Sequence, residues 1–362
     1  MSKFWNEKIN NITPYIAGEQ PKAGQRVIKL NTNENPYPPS PKCREVLDNF
    51  DIDELRLYPD TSATAVREAV AVKDGVLPSQ VFVGNGSDEV LALCWQTFFE
   101  KKSKPVLTPD IGYSFYPVYS DFYDVNIEYV PLGEGFVLNP DDYTGRECGG
   151  IAIANPNAPT SLSIGLDAIK KIASANPEKV VLIDEAYAAF KDPYETAVSL
   201  LSECPNIVVV RTLSKSYGLA GLRVGYAIAS AELIEGLLRA RDSFNSYPVD
   251  RLAQKIAAAA ISDSSYYEEC RQKVIKTRGT LKANLENLGF EVLPSSSNFL
   301  FAKPLWARAE NLYKILRGKG ILVRYFNKPV IGQYLRITVG TDEECGALCA
   351  AIREVKENGQ NG

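Results

Sequence analysis

Seven short apolar runs recur between residues 81 and 229: Val81–Val83, Pro105–Thr108, Asn126–Val130, Ile151–Ala154, Val180–Ile183, Ile207–Val210 and Tyr226–Ala229. Helix-patterned stretches such as Asp88–Phe99, Leu166–Ala175 and Ala231–Arg241 separate several of them. Alternation of this kind predicts an α/β fold whose large domain holds a mostly parallel central sheet between helices. A run such as Val180–Ile183 has no polar residue to send to solvent, so it suits a strand buried on both faces.

The flanking segments read differently. Pro36, Pro38 and Pro39 exclude a helix, and the first forty or so residues read as an irregular, extended arm. Helices are expected near Pro41–Phe50 and Ala63–Lys73, and a long connecting helix over Ser265–Leu288. Beyond it, Phe290–Leu293, Asn298–Ala302, Leu322–Arg324 and Leu335–Val339 read as strands of a smaller α+β domain, closed by a helix near Asp342–Glu357. The expected division is an arm and part of the small domain over 1–50, a large domain over 51–275, and the rest of the small domain over 276–362.

Composition narrows the function. With 45% apolar and 23% charged residues the chain is of ordinary globular type, and a net charge of −4 gives no case for nucleic acid or an anionic membrane. No apolar run is long enough to span a bilayer, and the N-terminus lacks a secretory apolar core, so a cytoplasmic protein is expected. The 7 cysteines are widely scattered, which argues against a disulfide framework. Cys345 and Cys349 would share a helix face, but no further thiol or imidazole joins them, so buried free thiols are the better reading and no metal is expected. The chain contains 0 histidines. That excludes Ser-His-Asp and Cys-His nucleophiles and histidine-ligated metals, and leaves acid–base work to Lys, Asp, Glu, Tyr or Cys.

Polar residues gather where the apolar runs end. Asp184 closes the run Val180–Ile183, and ligands of open α/β sheets bind at that edge of a strand. Lys215 lies in Thr212-Leu213-Ser214-Lys215-Ser216, directly after Ile207–Val210, and Arg223 follows it by eight positions. Gly84-Asn85-Gly86-Ser87-Asp88-Glu89 leaves the first run and opens a helix, where free N–H groups can hold an anion. Glu89 stands where a dinucleotide fingerprint needs its third glycine, which disfavours a nicotinamide enzyme. A lysine, an acid and an arginine so placed match the needs of pyridoxal 5'-phosphate: an amine for the Schiff base, a carboxylate for the pyridine nitrogen and a cation for the phosphate. An amine nucleophile needs a deprotonated fraction, which burial and a nearby cation favour. Thr212, Ser214 and Arg223 can bind phosphate oxygens, and Tyr187 is placed to reach the phenolic oxygen. Glu185 reads as structural. Taken singly, each residue has a plainer reading: a solvated lysine, a capping aspartate, an ordinary glycine turn. Tyr113 could stack on the cofactor or equally pack in the core, and Asn155-Pro156-Asn157-Ala158-Pro159-Thr160 could be a plain turn.

Together these segments resemble the fold type I pyridoxal-phosphate aminotransferases, most closely the histidinol-phosphate aminotransferases. The resemblance runs from Thr13-Pro14-Tyr15 to Leu335-Arg336-Ile337-Thr338-Val339-Gly340, and is most specific at Thr212–Lys215, Asp184–Tyr187 and Gly221-Leu222-Arg223. It implies that Lys215 bonds to the cofactor and moves the substrate's proton, that Asp184 pairs with the pyridine nitrogen, and that Tyr113 stacks on the ring. Ser87 and Asp88 would hold phosphate through backbone amides, alongside Ser214 and Arg223. Tyr58 would cross from a neighbouring subunit, so the active unit would be a homodimer. Arg324 and Arg336 would take the substrate's phosphate or carboxylate, although Arg324 could equally be a surface charge. Tyr15, Asn33 and Glu34 would line the entrance. The loop departs from the family pattern: Ala158 stands where the cofactor-contacting asparagine is usual, and Ser161 where glycine is usual. Either Asn157 takes over that contact through a shifted loop, the favoured reading, or the hydrogen bond is lost. The implied reaction is transamination of L-histidinol phosphate with 2-oxoglutarate. The alternatives are an aromatic or broad-specificity aminotransferase and a threonine-phosphate decarboxylase.

Overall fold

The computed structural model describes residues 2–360 except 17, 22, 23, 25 and 103. Among them are twelve strands in two sheets: β1 (Ile28–Leu30), β2 (Val81–Gly84), β3 (Val106–Pro109), β4 (Ile127–Val130), β5 (Gly150–Ala154), β6 (Val181–Asp184), β7 (Ile207–Thr212), β8 (Gly225–Ala229), β9 (Phe290–Val292), β10 (Phe299–Pro304), β11 (Ile321–Tyr325) and β12 (Leu335–Thr338). The larger sheet runs in the order β2-β8-β7-β6-β5-β3-β4. Strands β3 to β7 are parallel, and β8 lies antiparallel between β2 and β7. All residues of β5, β6 and β7 are buried. Val181, Ile183, Ile207 and Val209 pack into one core, and Leu182, Val208 and Val210 into another across the sheet. Side chains alternate between faces along a strand, so an unbroken apolar run fills both layers.

The smaller sheet, β1-β11-β12-β10-β9, packs Leu30, Leu300, Ile321, Val323, Leu335 and Ile337 against the C-terminal helix Asp342–Gln360. The helix Ser264–Asn287 joins the two regions. Its Arg271 donates to Ala189 O beside the large sheet, its Arg278 donates to both Phe190 O and Ser297 O, and its Leu281 and Leu285 enter the small core.

One expectation about the N-terminal arm needs correction. The first forty residues are not wholly irregular: Glu7–Asn11 is a short helix, capped by the Asn6 side chain, and Ile28–Leu30 pairs in parallel with β11. Three further helices were not anticipated. Tyr116–Tyr123 is built largely from aromatic and β-branched residues of modest helix propensity. Arg251–Ile261, capped by the Asp250 carboxylate, and Ala309–Gly318 are the others. All 7 cysteines are buried free thiols. Among the described residues no group of titratable side chains could hold a metal ion, and no helix is long and apolar enough to cross a membrane.

Candidate active site

A cavity of about 290 Å³ opens at the carboxyl edge of the large sheet, under the small one. Asp184 reaches it because it is the last residue of β6, and Lys215 because β7 ends in a single helical turn, Leu213–Ser216. The Thr212 hydroxyl caps that turn by accepting from Ser214 N. On the other side the turn after β2 enters the helix Gly86–Phe98, with Gly86 at φ +79°. That left-handed backbone favours glycine, and a methyl group there would also stand 2.6 Å from Nη2 of Arg223 and push the guanidinium aside.

Asp184 is buried, accepting from Ala186 N at 3.1 Å and from the Tyr116 hydroxyl at 3.4 Å. Burial pushes its carboxyl up to about 7, although the Ala186 amide pulls the other way. Tyr116, which sequence reasoning missed, is held far above its ordinary range by burial and by the Asp184 charge, so it serves as a neutral donor. Lys215 Nζ donates to Thr32 O at 3.1 Å and stands 5.9 Å from the centre of the Tyr187 ring. Arg223 reaches Asp88 at 3.1 Å and Ser214 Oγ at 3.4 Å. The Asp88 carboxylate also accepts from Tyr113 OH at 3.2 Å. Ser87 and Thr212 complete this wall of the cavity.

The opposite wall comes from the small sheet and the arm. Asn33 is buried in a left-handed conformation and donates from Nδ2 to Tyr187 OH at 3.0 Å. Tyr15 packs on Phe115 at the mouth. Glu34 also lines the cavity; burial raises its carboxyl, but hydrogen bonds from Lys29 and Thr32 outweigh this and hold it below the usual range. Arg324 and Arg336 face each other across β11 and β12. Among the described residues neither forms an ion pair with a carboxylate, whereas Lys303, Arg317 and Lys319 of the same unit do. Arg336 donates to Asn31 O at 3.0 Å, and its Nε is buried without a partner. Burial, with Arg324 beside it, pulls the Arg336 guanidinium below its ordinary range. Two paired cations without a counter-ion form a site for an anion.

Every residue given a cofactor or substrate role from the sequence thus lines one cavity except Asn157 and Tyr58. The shifted loop expected at Asn157 is not formed. Its amide nitrogen donates to Ile111 O and Thr160 Oγ1, the side chain faces a separate apolar cavity of about 110 Å³, and Ala158 lines the main one instead. Tyr58 is 77% exposed and stacks on Tyr247 at 4.6 Å. Glu185 turns away into a buried ion pair with Arg211 at 3.0 Å.

The aminotransferase class I and II family model matches residues 25–352. The chain belongs to the class I and II aminotransferases. Among the curated relatives of this aminotransferase is a histidinol-phosphate aminotransferase of Chromohalobacter salexigens, 51% identical over 98% of the chain and 99% of that protein. Histidinol-phosphate aminotransferase 2 of Dechloromonas aromatica is also 51% identical, over the same shares. The crystal structure of histidinol-phosphate aminotransferase from Sinorhizobium meliloti in complex with pyridoxal-5'-phosphate superposes with a TM-score of 0.88, covering 99% of each chain at 22% identity, and so shares the fold.

Proposed function

We propose that this aminotransferase moves the amino group between L-histidinol phosphate and 2-oxoglutarate, giving imidazole-acetol phosphate and L-glutamate, as a step of histidine biosynthesis. The observation that carries the reading is the carboxylate-free pair Arg324 and Arg336, facing Lys215 and Asp184 across one cavity. One anion site must hold a phosphate in one half-reaction and a carboxylate in the other. The relatives at 51% identity support the same substrate over an aromatic amino acid or phosphothreonine.

The residues fit pyridoxal 5'-phosphate. The helix start at Gly86 presents backbone N–H groups beside Arg223 and Ser214, which suits a phosphate. Burial disfavours the charged form of the Asp184 carboxyl, and a protonated pyridine nitrogen beside it would supply the cation that restores it. When bound, the cofactor supplies an aldehyde carbon that takes the amino group and a ring that draws electrons from the substrate's Cα–H bond. Lys215 Nζ would take the proton from that Cα and return it at the cofactor's aldehyde-derived carbon, acting as base and then acid. Asp184 would hold the proton on the pyridine nitrogen, with its carboxylate plane fixed by the Tyr116 hydroxyl and Ala186 N–H. Tyr187, oriented by Asn33, would hold the phenolic oxygen, and Tyr113 would pack against the ring face. Ala158 brings no polar group there, so the phenolic oxygen has one fewer partner than the family pattern provides.

The active unit in this reading is a homodimer. Tyr58 lies outside its own chain's cavity on a surface with the exposed apolar residues Ile52, Leu55, Leu57 and Phe244, which suits a second copy and would let Tyr58 enter the neighbouring site. Residues 51–275 form the cofactor-binding domain, and 1–50 and 276–362 the smaller one. A biosynthetic enzyme of this kind belongs in the cytoplasm. The deciding experiment is the visible spectrum of the cofactor-loaded protein during titration with histidinol phosphate, phenylalanine and phosphothreonine. Bleaching by histidinol phosphate and recovery with 2-oxoglutarate is expected; a response to phenylalanine alone refutes the substrate. A Lys215→Ala protein that still shows the lysine-bound cofactor band refutes the role of Lys215.

A further inference from the structure

Ser161 is fully buried, yet its backbone sits at φ +66°. Glycine adopts that conformation freely and serine does so at a cost, so the hydroxyl must return something. Ser161 Oγ lies 3.1 Å from Pro294 O, in the segment between β9 and β10, and 2.5 Å from Thr160 O, so one proton is shared between two carbonyls. Beside it Ser296 N donates to Ser161 O at 3.0 Å, and the hydroxyls of Ser163 and Ser296 meet at 2.9 Å. The chain then passes through Ser297 to Asn298, whose Nδ2 donates to Asn33 O at 3.0 Å, and Asn33 donates to Tyr187. This polar seam starts at the loop that presents Ala158 to the cavity, crosses the 294–298 segment and Asn33 of the arm, and ends at Tyr187, three residues after Asp184. It ties the unit carrying Lys215 to the unit carrying Arg324 and Arg336.

We propose that Ser161 is a positioning residue: its hydroxyl fastens the 294–298 segment to the loop at Ala158 and so sets the distance between the anion-binding arginines and Lys215. The inference rests on reading the cavity as the amino-donor site. Ser161 does not line the cavity, so removing its hydroxyl deletes no group in contact with substrate.

The test compares Ser161→Gly, Ser161→Ala and Ser163→Ala in the cofactor-loaded enzyme, by amide hydrogen exchange over 294–298 and by steady-state kinetics with histidinol phosphate. Glycine removes the hydroxyl and relieves the backbone; alanine removes the hydroxyl and keeps the strain. Exchange over 294–298 should rise about five-fold in both Ser161 variants, the equivalent of one hydrogen bond, and KM should rise by a similar factor with kcat and the visible spectrum unchanged. Ser163→Ala, which strains no backbone, should show the same pattern even if Ser161→Ala fails to fold. Unchanged exchange in Ser161→Gly overturns the seam, and raised exchange with unchanged KM overturns the positioning role. A wild-type enzyme inert to histidinol phosphate overturns the functional reading instead, and the exchange measurement still decides the seam.

Discussion

Replacing Asp184 by asparagine separates what the residue costs the fold from what it gives the chemistry. Burial moves its carboxyl from 3.8 to about 7 in the cofactor-free protein, a rise of roughly 3 units. At about 1.4 kcal/mol per unit, the charged form destabilises the fold by up to about 4 kcal/mol. For an acid with a raised folded value, the folded state binds more protons than the unfolded chain between the two values. Stability therefore falls as pH rises from about 4 to 7, and the full penalty is present above 7. Asparagine keeps the shape: its Oδ1 can still accept from Ala186 N–H, and its Nδ2 can donate to the Tyr116 oxygen. In urea unfolding of the cofactor-free proteins, Asp184→Asn should exceed wild type at pH 8 by up to about 4 kcal/mol, and by only about a third of that at pH 5. An advantage that does not grow with pH, or a variant less stable at pH 8, refutes the argument. The same substitution should lower kcat by on the order of a hundredfold or more, because an amide cannot hold the pyridine proton by charge.

Three further substitutions probe the site and the structure around it. Arg336→Gln can still donate to Asn31 O but leaves Arg324 as the sole anion anchor; KM for histidinol phosphate should rise at least about tenfold, and an unchanged KM removes Arg336 from the site. Asn157→Ala should leave the visible spectrum of the loaded enzyme unchanged, since its amide is committed to Ile111 and Thr160, and should cost about 1–2 kcal/mol in denaturant unfolding; a shifted band would show that Asn157 does reach the cofactor. Lys73 lies against Tyr217 and Tyr267, and burial lowers its ammonium to about 8. The charged form is therefore penalised below pH 8, and the penalty fades as pH rises from about 8 to 10.5. Lys73→Met should be more stable than wild type at pH 7, by up to about 3 kcal/mol, with the gain shrinking by pH 10; a gain that is flat with pH refutes the cause.

The central sheet was legible because its signal is local. In β6 and β7 the runs Val181–Ile183 and Ile207–Val210 are wholly apolar, and Asp184 and Lys215 come after them at the strand edge where the cavity lies. What escaped depends on distant partners. Ile28–Leu30 is a three-residue strand whose partner, β11, lies almost three hundred residues away, so no periodicity could mark it. Tyr116 enters the site from a helix whose aromatic composition hides its type, and nothing near it in sequence points to Asp184. The direction of the Asn157 side chain is set by the Ile111 carbonyl, 46 residues upstream. A one-residue alternation between Asn157 and Ala158 then decides which of them faces the cavity. Ser161 was visible as a departure from the family pattern, but its meaning needed Pro294, a contact 133 residues away. Sequence order therefore discloses the residues that follow the strands, while the pairs that orient them form only in the fold: Tyr116 with Asp184 inside the large unit, Arg324 with Arg336 inside the small sheet, and Asn33 of the arm with Tyr187 beside the large sheet.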